Sequence, residues 1–364
     1  MKIVADENIT LLGHYFGQLG TVIQKPGRAI SHEDILDADI LLVRSVTPVN
    51  AALLQGSSVK FVGSVTTGID HLDTEWLNQA GIHWASAKGC NANAVVEYII
   101  CTVAALQKEG FLQNSLLRAG IIGAGRIGNA VAEKLKYLNF EIIFCDPFRT
   151  DIEQTPFEKI SDCDLISFHT PLTMTDHYPT YHMVDREFLA RQKKDCILLN
   201  TARGAVINSH DLKYYGRECI WCLDVWENEP TIDFSILESA LIATPHIAGY
   251  SVQAKNRGTE MIFTALSKWL SNKIHLTSNP LPENPHIILC ENEKMDWQDV
   301  VLKIFDPRKL TEQMQFIMPS GYEHFDWLRK NFTQRQEFSA IQIKEITISV
   351  EQKILLEKLG VQCI

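Results

Sequence analysis

Short apolar runs rich in Val, Ile and Leu alternate with amphipathic stretches through the first 275 residues of the chain. Residues 2–5, 40–43, 60–65, 121–122, 141–145, 164–168, 197–199, 220–225 and 241–243 read as strands, and several are apolar throughout. Unbroken apolar runs are the pattern of parallel strands covered on both faces. Between them apolar positions return at helical spacing, as with Ile127, Val131, Leu135 and Leu138. The alternation predicts an α/β architecture with two doubly wound domains.

Residues 92–108 form a long apolar helical stretch just ahead of a glycine-rich segment, which sets a boundary near 92. A first domain is expected over 1–92, completed by a helix at about 256–275, and a second over 93–255. Three prolines at 280, 282 and 285 mark a linker. Beyond it, residues 286–364 read as a small α+β unit of their own. Trp297, Val300, Val301, Ile304 and Phe305 make a helical stripe. Ile346, Ile348 and Val350 alternate as a strand, with a bulge expected at Lys344-Glu345.

Composition narrows the class. Hydrophobic residues make up 46% and charged residues 21% of the chain, an ordinary mix for a globular protein with a sizeable core. A net charge of −10 with no basic block argues against backbone-driven nucleic-acid binding, although a local pocket can still take an anion. The apolar stretch 94–106 is interrupted by Glu97 and is too short to span a bilayer. The first residues, M-K-I-V-A-D-E, lack the apolar core of a secretion signal. Nine cysteines, an odd number set mostly in apolar runs, read as free thiols in a reducing compartment, so a cytoplasmic protein is expected.

Four strand-end segments carry chemistry. In the first, Gly123, Gly125 and Gly128 have the G-x-G-x-x-G spacing between a strand and a helix, with Arg126 and Ile127 opening that helix. Such a turn lets backbone N–H groups approach a pyrophosphate at a helix N-terminus. Asp146 follows the next strand, where a carboxylate suits the ribose hydroxyls of NAD and repels the extra phosphate of NADP; Arg149 stands close by. The second segment, L-L-N-T-A-R-G, puts Arg203 past a strand end, where its planar fork can hold a carboxylate. The third, L-D-V-W-E-N-E-P, carries Asp224, Glu227 and Glu229. The fourth, T-P-H-I-A-G-Y, leaves His246 in a loop after Pro245, and histidine titrates in the range a base for alcohol oxidation needs.

Taken together, G-A-G-R-I-G, N-T-A-R-G, L-D-V-W-E-N-E-P and T-P-H-I-A-G-Y resemble the NAD-dependent D-2-hydroxyacid dehydrogenase family over most of residues 1–275. The resemblance implies two Rossmann-like domains, the first holding substrate and the second NAD. It implies a catalytic trio of Arg203, Glu229 and His246, with Glu227 as the local rival for the acid. Cofactor contacts are implied for Gly123, Gly125, Arg126, Ile127, Gly128, Asp146, Thr170, Thr201, Ala202, Arg203, Asp224 and Gly249. Substrate contacts are implied for Ser45, Thr66 and Tyr250, with backbone N–H groups of 65–68 facing a carboxylate.

Within the family, A-D-E-N at 5–8, P-G-R at 26–28, V-R-S-V-T at 43–47 and G-C-N-A at 89–92 resemble the branch that oxidises a phosphorylated four-carbon 2-hydroxy acid. That branch uses the segment after the proline linker as a dimerisation domain, so a homodimer is implied. The segment's aromatics, Trp297, Phe305, Phe316, Tyr322, Phe325, Trp327, Phe332 and Phe338, are more than so small a unit readily buries. Arg44, with the hydroxyls of Ser45 and Thr47, is the candidate for a terminal phosphate; the alternative is that Arg44 pairs with an acidic residue and stiffens its loop. Another 2-hydroxyacid dehydrogenase, such as one for 3-phosphoglycerate, and a non-enzymatic NAD-sensing corepressor are the competing readings. The complete Arg–Glu–His set favours an enzyme. Cys219-x-x-Cys222 lies in a core strand and Asp70-His71-x-Asp73 at a helix start, and both read as structural, as does His169.

Overall fold

A computed structural model describes residues 1–175, 177–271, 286–289, 294–332, 335–344 and 347–363. The chain divides into two compact units, Met1–Ala92 with Ser251–Asn284, and Asn93–Tyr250 with Pro285–Ile364. No helix among the described residues is long and apolar enough to cross a membrane.

The first unit is built on five parallel strands, β1 (Lys2–Asp6), β2 (Thr21–Lys25), β3 (Ile40–Val43), β4 (Phe61–Ser64) and β5 (His83–Ser86), in the order β2-β1-β3-β4-β5. Alternate side chains of the central strands serve opposite faces. Ile3, Ala5, Ile40, Leu42 and Phe61 pack with Ile262, Phe263 and Leu266 of the helix Val252–Trp269. Val4, Leu41, Val43 and Val62 pack with Ile35, Leu54 and Leu77 on the other side. Two strands were not expected from the sequence, β2 and β5, and both are sheet edges. Each is partly exposed along its length, so neither shows the apolar run that marks its buried neighbours.

The second unit holds six parallel strands, β6 (Leu117–Ile122), β7 (Phe140–Cys145), β8 (Leu165–Phe168), β9 (Ile197–Asn200), β10 (Ile220–Leu223) and β11 (Ile242–Ala243), in the order β11-β10-β9-β8-β6-β7. The chain leaves β6 for β7 on one side and then returns to β8 on the other. That reversal opens the crevice beyond the strand carboxyl ends where doubly wound sheets take ligands.

The carboxy-terminal residues add β12 (His286–Leu289), β13 (Ile341–Lys344) and β14 (Gln362–Cys363), parallel and in the order β12-β13-β14. This segment, read from the sequence as a separate unit, shares one hydrophobic core with the six-stranded sheet. Val300, Val301, Met314, Phe325 and Leu356 belong to the same cluster as Ile121, Leu198 and Ile242. Thr311, on the helix Pro307–Ile317, accepts the N–H of Ala243 at 3.0 Å. The expected strand over 346–350, of which residue 346 lies outside the described ones, is corrected at its end: Thr347 makes an isolated parallel bridge with Lys294, and Ser349 accepts the Gln352 N–H to cap a helix that begins at Val350. The expected proline linker and the Lys344-Glu345 bulge fall on or beside residues outside the described ones. Trp297, Phe305, Phe325 and Phe338 are buried, while Phe316 is 86% and Trp327 49% exposed.

Candidate active site

Gly123 ends β6 with φ +95°, and a Cβ there would stand 2.8 Å from the His169 carbonyl oxygen at the end of β8. Gly128 lets the helix Arg126–Tyr137 press against that turn, since a Cβ would meet the Gly123 oxygen at 2.0 Å. At Gly125 a Cβ would meet nothing within 4 Å, so the backbone here lies open in front of the helix N-terminus. Asp146, just past β7, accepts the Ala124 N–H at 2.8 Å and the Phe148 N–H at 3.1 Å. Arg149 is tied to Asp151 at 2.6 Å and to the Ala124 oxygen at 2.5 Å. The hydroxyls of Thr170 and Thr201, past β8 and β9, are buried without a hydrogen-bond partner among the described residues. Open glycine backbone, a helix N-terminus, a carboxylate after the second strand and orphaned hydroxyls at the crevice together fit a dinucleotide.

The other motifs converge on the same edge of this sheet. Arg203 follows β9 in a turn shaped by Asn200, which accepts the Ala202 N–H at 3.0 Å and donates to the Arg203 oxygen at 2.9 Å. After β10, Glu229 accepts the Trp226 N–H at 2.9 Å through one oxygen and meets Nδ1 of His246 at 2.7 Å through the other. Burial opposes the Glu229 charge, but His246, Arg329 and the Trp226 N–H outweigh it and hold the carboxyl below its usual range. The rival acid, Glu227, is otherwise engaged, accepting from Nε2 of His182 at 2.7 Å and from the Ser209 N–H at 3.1 Å.

The loop carrying His246 is fixed from beneath. Asp224 is 1% exposed; it accepts from the Thr244 hydroxyl at 2.6 Å and from the N–H groups of Ile247 at 2.8 Å and Ala248 at 2.9 Å. Its backbone oxygen accepts the His246 N–H at 2.7 Å. Burial raises the Asp224 carboxyl above its ordinary range against these donors. The Tyr98 hydroxyl and Thr244 share a further bond at 2.7 Å. Gly249 and Tyr250 complete the loop, and the Tyr250 hydroxyl accepts from Arg329 at 3.0 Å. Sequence reading missed the part played by Asn200, although it opens the N-T-A-R-G motif, and missed Tyr98, Arg329 and Arg335, which belong to no motif singled out. Burial pushes the Cys219 thiol up to about 11 and Cys222 up to about 12, so neither is poised for thiolate chemistry. His169 is a buried ring that desolvation holds down to about 3.

In the first unit, Arg44 pairs with the buried Asp6 through Nε at 3.0 Å, and Ser45 next to it is exposed. Thr47, expected to offer a hydroxyl, is instead 1% exposed and donates to the Gly27 oxygen at 2.8 Å. Thr66 shares a 3.0 Å bond with Ser64, which also meets His71. Asp73 caps the helix Thr74–Gln79 by accepting the Trp76 N–H at 3.0 Å.

Residues 105–248 match the family described as D-isomer specific 2-hydroxyacid dehydrogenase, NAD binding domain. Erythronate-4-phosphate dehydrogenase of Coxiella burnetii is 41% identical over 348 residues, covering 94% of this chain and 95% of that protein. The chain belongs to the erythronate-4-phosphate dehydrogenase family. The enzyme of that name from Cellvibrio japonicus is 39% identical with both chains covered in full, and that from Teredinibacter turnerae is 42% identical over 96% of each. Solved structures share the fold: D-lactate dehydrogenase from Aquifex aeolicus, complexed with NAD and lactic acid, has a TM-score of 0.63 at 22% identity, covering 75% of this chain and 96% of its own. NAD-bound 3-phosphoglycerate dehydrogenase from Entamoeba histolytica has a TM-score of 0.64 at 24% identity, covering 78% and 99%. As a member of this dehydrogenase family the protein is an NAD-dependent oxidoreductase, with Rossmann-type parallel sheets.

Asp146 is the residue expected to select the cofactor. On that expectation Asp146→Ser takes away a charge opposed to a 2′-phosphate and a ribose partner, a change on the order of 10–100-fold for a charged hydrogen bond. The ratio of kcat/KM with NAD to that with NADP should narrow by that order, and an unchanged ratio would assign the discrimination elsewhere.

Proposed function

We propose that the protein oxidises 4-phospho-D-erythronate to (R)-3-hydroxy-2-oxo-4-phosphooxybutanoate with NAD, as a step in pyridoxine 5′-phosphate synthesis. The observation that carries this reading is the 2.7 Å His246–Glu229 pair, set beside a dinucleotide-type crevice in a chain of this family. Bound NAD supplies the hydride acceptor. With Nδ1 turned to Glu229, Nε2 of His246 is the atom left to take the C2 hydroxyl proton as the C2 hydride departs. Glu229 fixes the ring and favours the imidazolium that forms. Arg203 holds the substrate carboxylate and stabilises the carbonyl oxygen that develops at C2. Gly123, Gly125, Arg126, Ile127 and Gly128 take the pyrophosphate, Asp146 the ribose, and Thr170, Thr201, Ala202 and Gly249 line the remaining cofactor, while Asp224, buried beneath the His246 loop, supports that loop instead of lining the site. Tyr250, Ser45 and Thr66 are assigned to substrate.

For the terminal phosphate we assign Arg44. Asp6 engages its Nε, which orients the guanidinium and leaves its planar fork the chemistry a phosphate needs. We further assign a homodimer built through residues 286–364. Phe316, Trp327 and Val350 support it, being 86%, 49% and 74% exposed. A cytoplasmic location accords with the free thiols of Cys101, Cys145, Cys163, Cys196, Cys219 and Cys222.

Three measurements test these assignments. His246→Ala should lower kcat on 4-phosphoerythronate by about 10²–10⁴-fold while NAD still binds; near-normal turnover would remove His246 from the chemistry. Arg44→Ala should raise KM for 4-phosphoerythronate by about tenfold or more and leave activity on an unphosphorylated 2-hydroxy acid almost unchanged. Equal loss on both substrates would mean that the Asp6 pair only stiffens the loop. The protein should sediment as a dimer, and Phe316→Glu, Trp327→Glu or Val350→Glu should yield folded monomer. Three variants that all remain dimeric would place the interface elsewhere.

A further inference from the structure

The segment G-C-N-A at 89–92 follows β5 in the first unit, and nothing described so far uses it. Gly89, at φ 87°, turns the chain there, and its N–H donates to the Thr67 hydroxyl oxygen at 3.3 Å. That hydroxyl in turn donates to Oδ1 of Asn91 at 2.6 Å. A threonine hydroxyl has a single proton, so the short Asn91 bond takes it and the Ala87 oxygen, at 3.5 Å, has little share. The turn 65–68 is thereby clasped through Thr67 by a loop 24 residues further along the chain.

The clasping loop is itself held. Arg257, on the helix Val252–Trp269, donates to the Cys90 oxygen from Nε at 2.9 Å and from Nη2 at 2.7 Å. Gly258 beside it lets that helix lie against the turn, since a Cβ there would stand 2.4 Å from the Val65 oxygen. The Val65 N–H is taken up by the Val43 oxygen at 3.0 Å. The N–H groups of Thr66, Thr67 and Gly68 differ: no hydrogen bond among the described residues takes them up, although all three residues are half-buried. Partly buried backbone donors without a protein acceptor suit an anion. They follow the carboxyl end of β4, where parallel sheets hold their ligands.

We propose that Thr67 and Asn91 are positioning residues for substrate: their hydrogen bond fixes the 65–68 turn so that its free N–H groups stand ready for the carboxylate of the 2-hydroxy acid. The proposal rests on the reading of this turn as the carboxylate site. A loose turn would have to be ordered as substrate binds, so fixing it beforehand strengthens binding without any new contact. The carboxylate is held alike before and during the reaction, because hydride and proton leave from C2 and its hydroxyl. Loss of the clasp therefore weakens binding while the chemical step keeps its rate. Every 2-hydroxy acid carries that carboxylate, so the loss is independent of the terminal phosphate, the opposite of the pattern expected for Arg44.

The test uses the full-length protein and the variants Thr67→Val, Asn91→Ala, the two combined, and Thr67→Ser. Thr67→Val and Asn91→Ala should each raise KM about three- to tenfold, equally for 4-phosphoerythronate and for an unphosphorylated 2-hydroxy acid. Their kcat and NAD affinity should stay within about twofold. The Kd of oxalate for the NAD-loaded protein, read by calorimetry, should rise by the same factor as KM. The combined variant should be no worse than either single one, and Thr67→Ser, which keeps the hydroxyl, should match wild type. Unchanged KM and oxalate Kd in either single variant would overturn the proposal, as would losses that multiply in the combined variant or a fall confined to kcat. So would single variants that fail to fold while Thr67→Ser folds, since the bond would then serve stability alone. Oxalate that does not bind wild-type protein would remove the carboxylate site on which the proposal stands. Wild-type protein inactive on 4-phosphoerythronate would instead sink the substrate assignment, and the oxalate titration would still decide the role of Thr67 and Asn91.

Discussion

One buried carboxylate organises the chemistry of the second unit. Asp224 has almost no contact with solvent, and its oxygens collect a hydroxyl and two backbone N–H groups from the loop that carries His246. A carboxylate in such surroundings is costly unless every lone pair is used, and here the loop supplies the donors. In return the loop loses its freedom. His246 sits at φ 56°, a conformation that a non-glycine residue holds only where its surroundings over-determine it. The position of His246 therefore follows from a core interaction beneath its loop.

The same edge of the sheet gathers the other groups because parallel strands all end on one side. β6, β7, β8, β9, β10 and β11 deliver Gly123, Asp146, Thr170, Arg203, Glu229 and His246 in turn, although they are spread over more than a hundred residues of sequence. Two neighbouring acids then divide their work by geometry. Glu229 turns to His246, and Glu227 turns to His182 and the N-terminus of the helix Ser209–Tyr215. Each carboxyl is held low in its range by the partner it meets, after burial is overcome.

The carboxy-terminal segment is more than an appendage to this arrangement. Its helices complete the core of the sheet that carries the site, with Thr311 bonded to β11 itself and Arg335 bracing the loop that follows. Loss of that packing would expose Met314, Phe325 and Leu356 together with residues of the nucleotide-type sheet. Stability of the site and integrity of the segment are in this sense one property.

Much of the protein was legible in its sequence. Apolar runs marked the nine buried or half-buried strands of the two sheets, because a strand covered on both faces is mostly apolar. The glycine spacing and the acid after the second strand pointed to the dinucleotide site, since those needs are local: a positive φ at Gly123, close approach at Gly128. Other features depended on packing. The edge strands β2 and β5 carry too little buried surface to mark the sequence. Ser349 caps a helix that takes Val350 out of the alternating stretch. The turn of Glu227 to His182, the burial of Thr47 and the reach of Arg329 to Tyr250 all join residues by contacts that no local spacing encodes. Periodicity and turn chemistry are written in neighbouring residues, so sequence alone determined nine of the strands and the glycine turn between β6 and its helix. The partner of a buried charge is whichever group the folded chain brings within about 3 Å, and only the tertiary structure decided that.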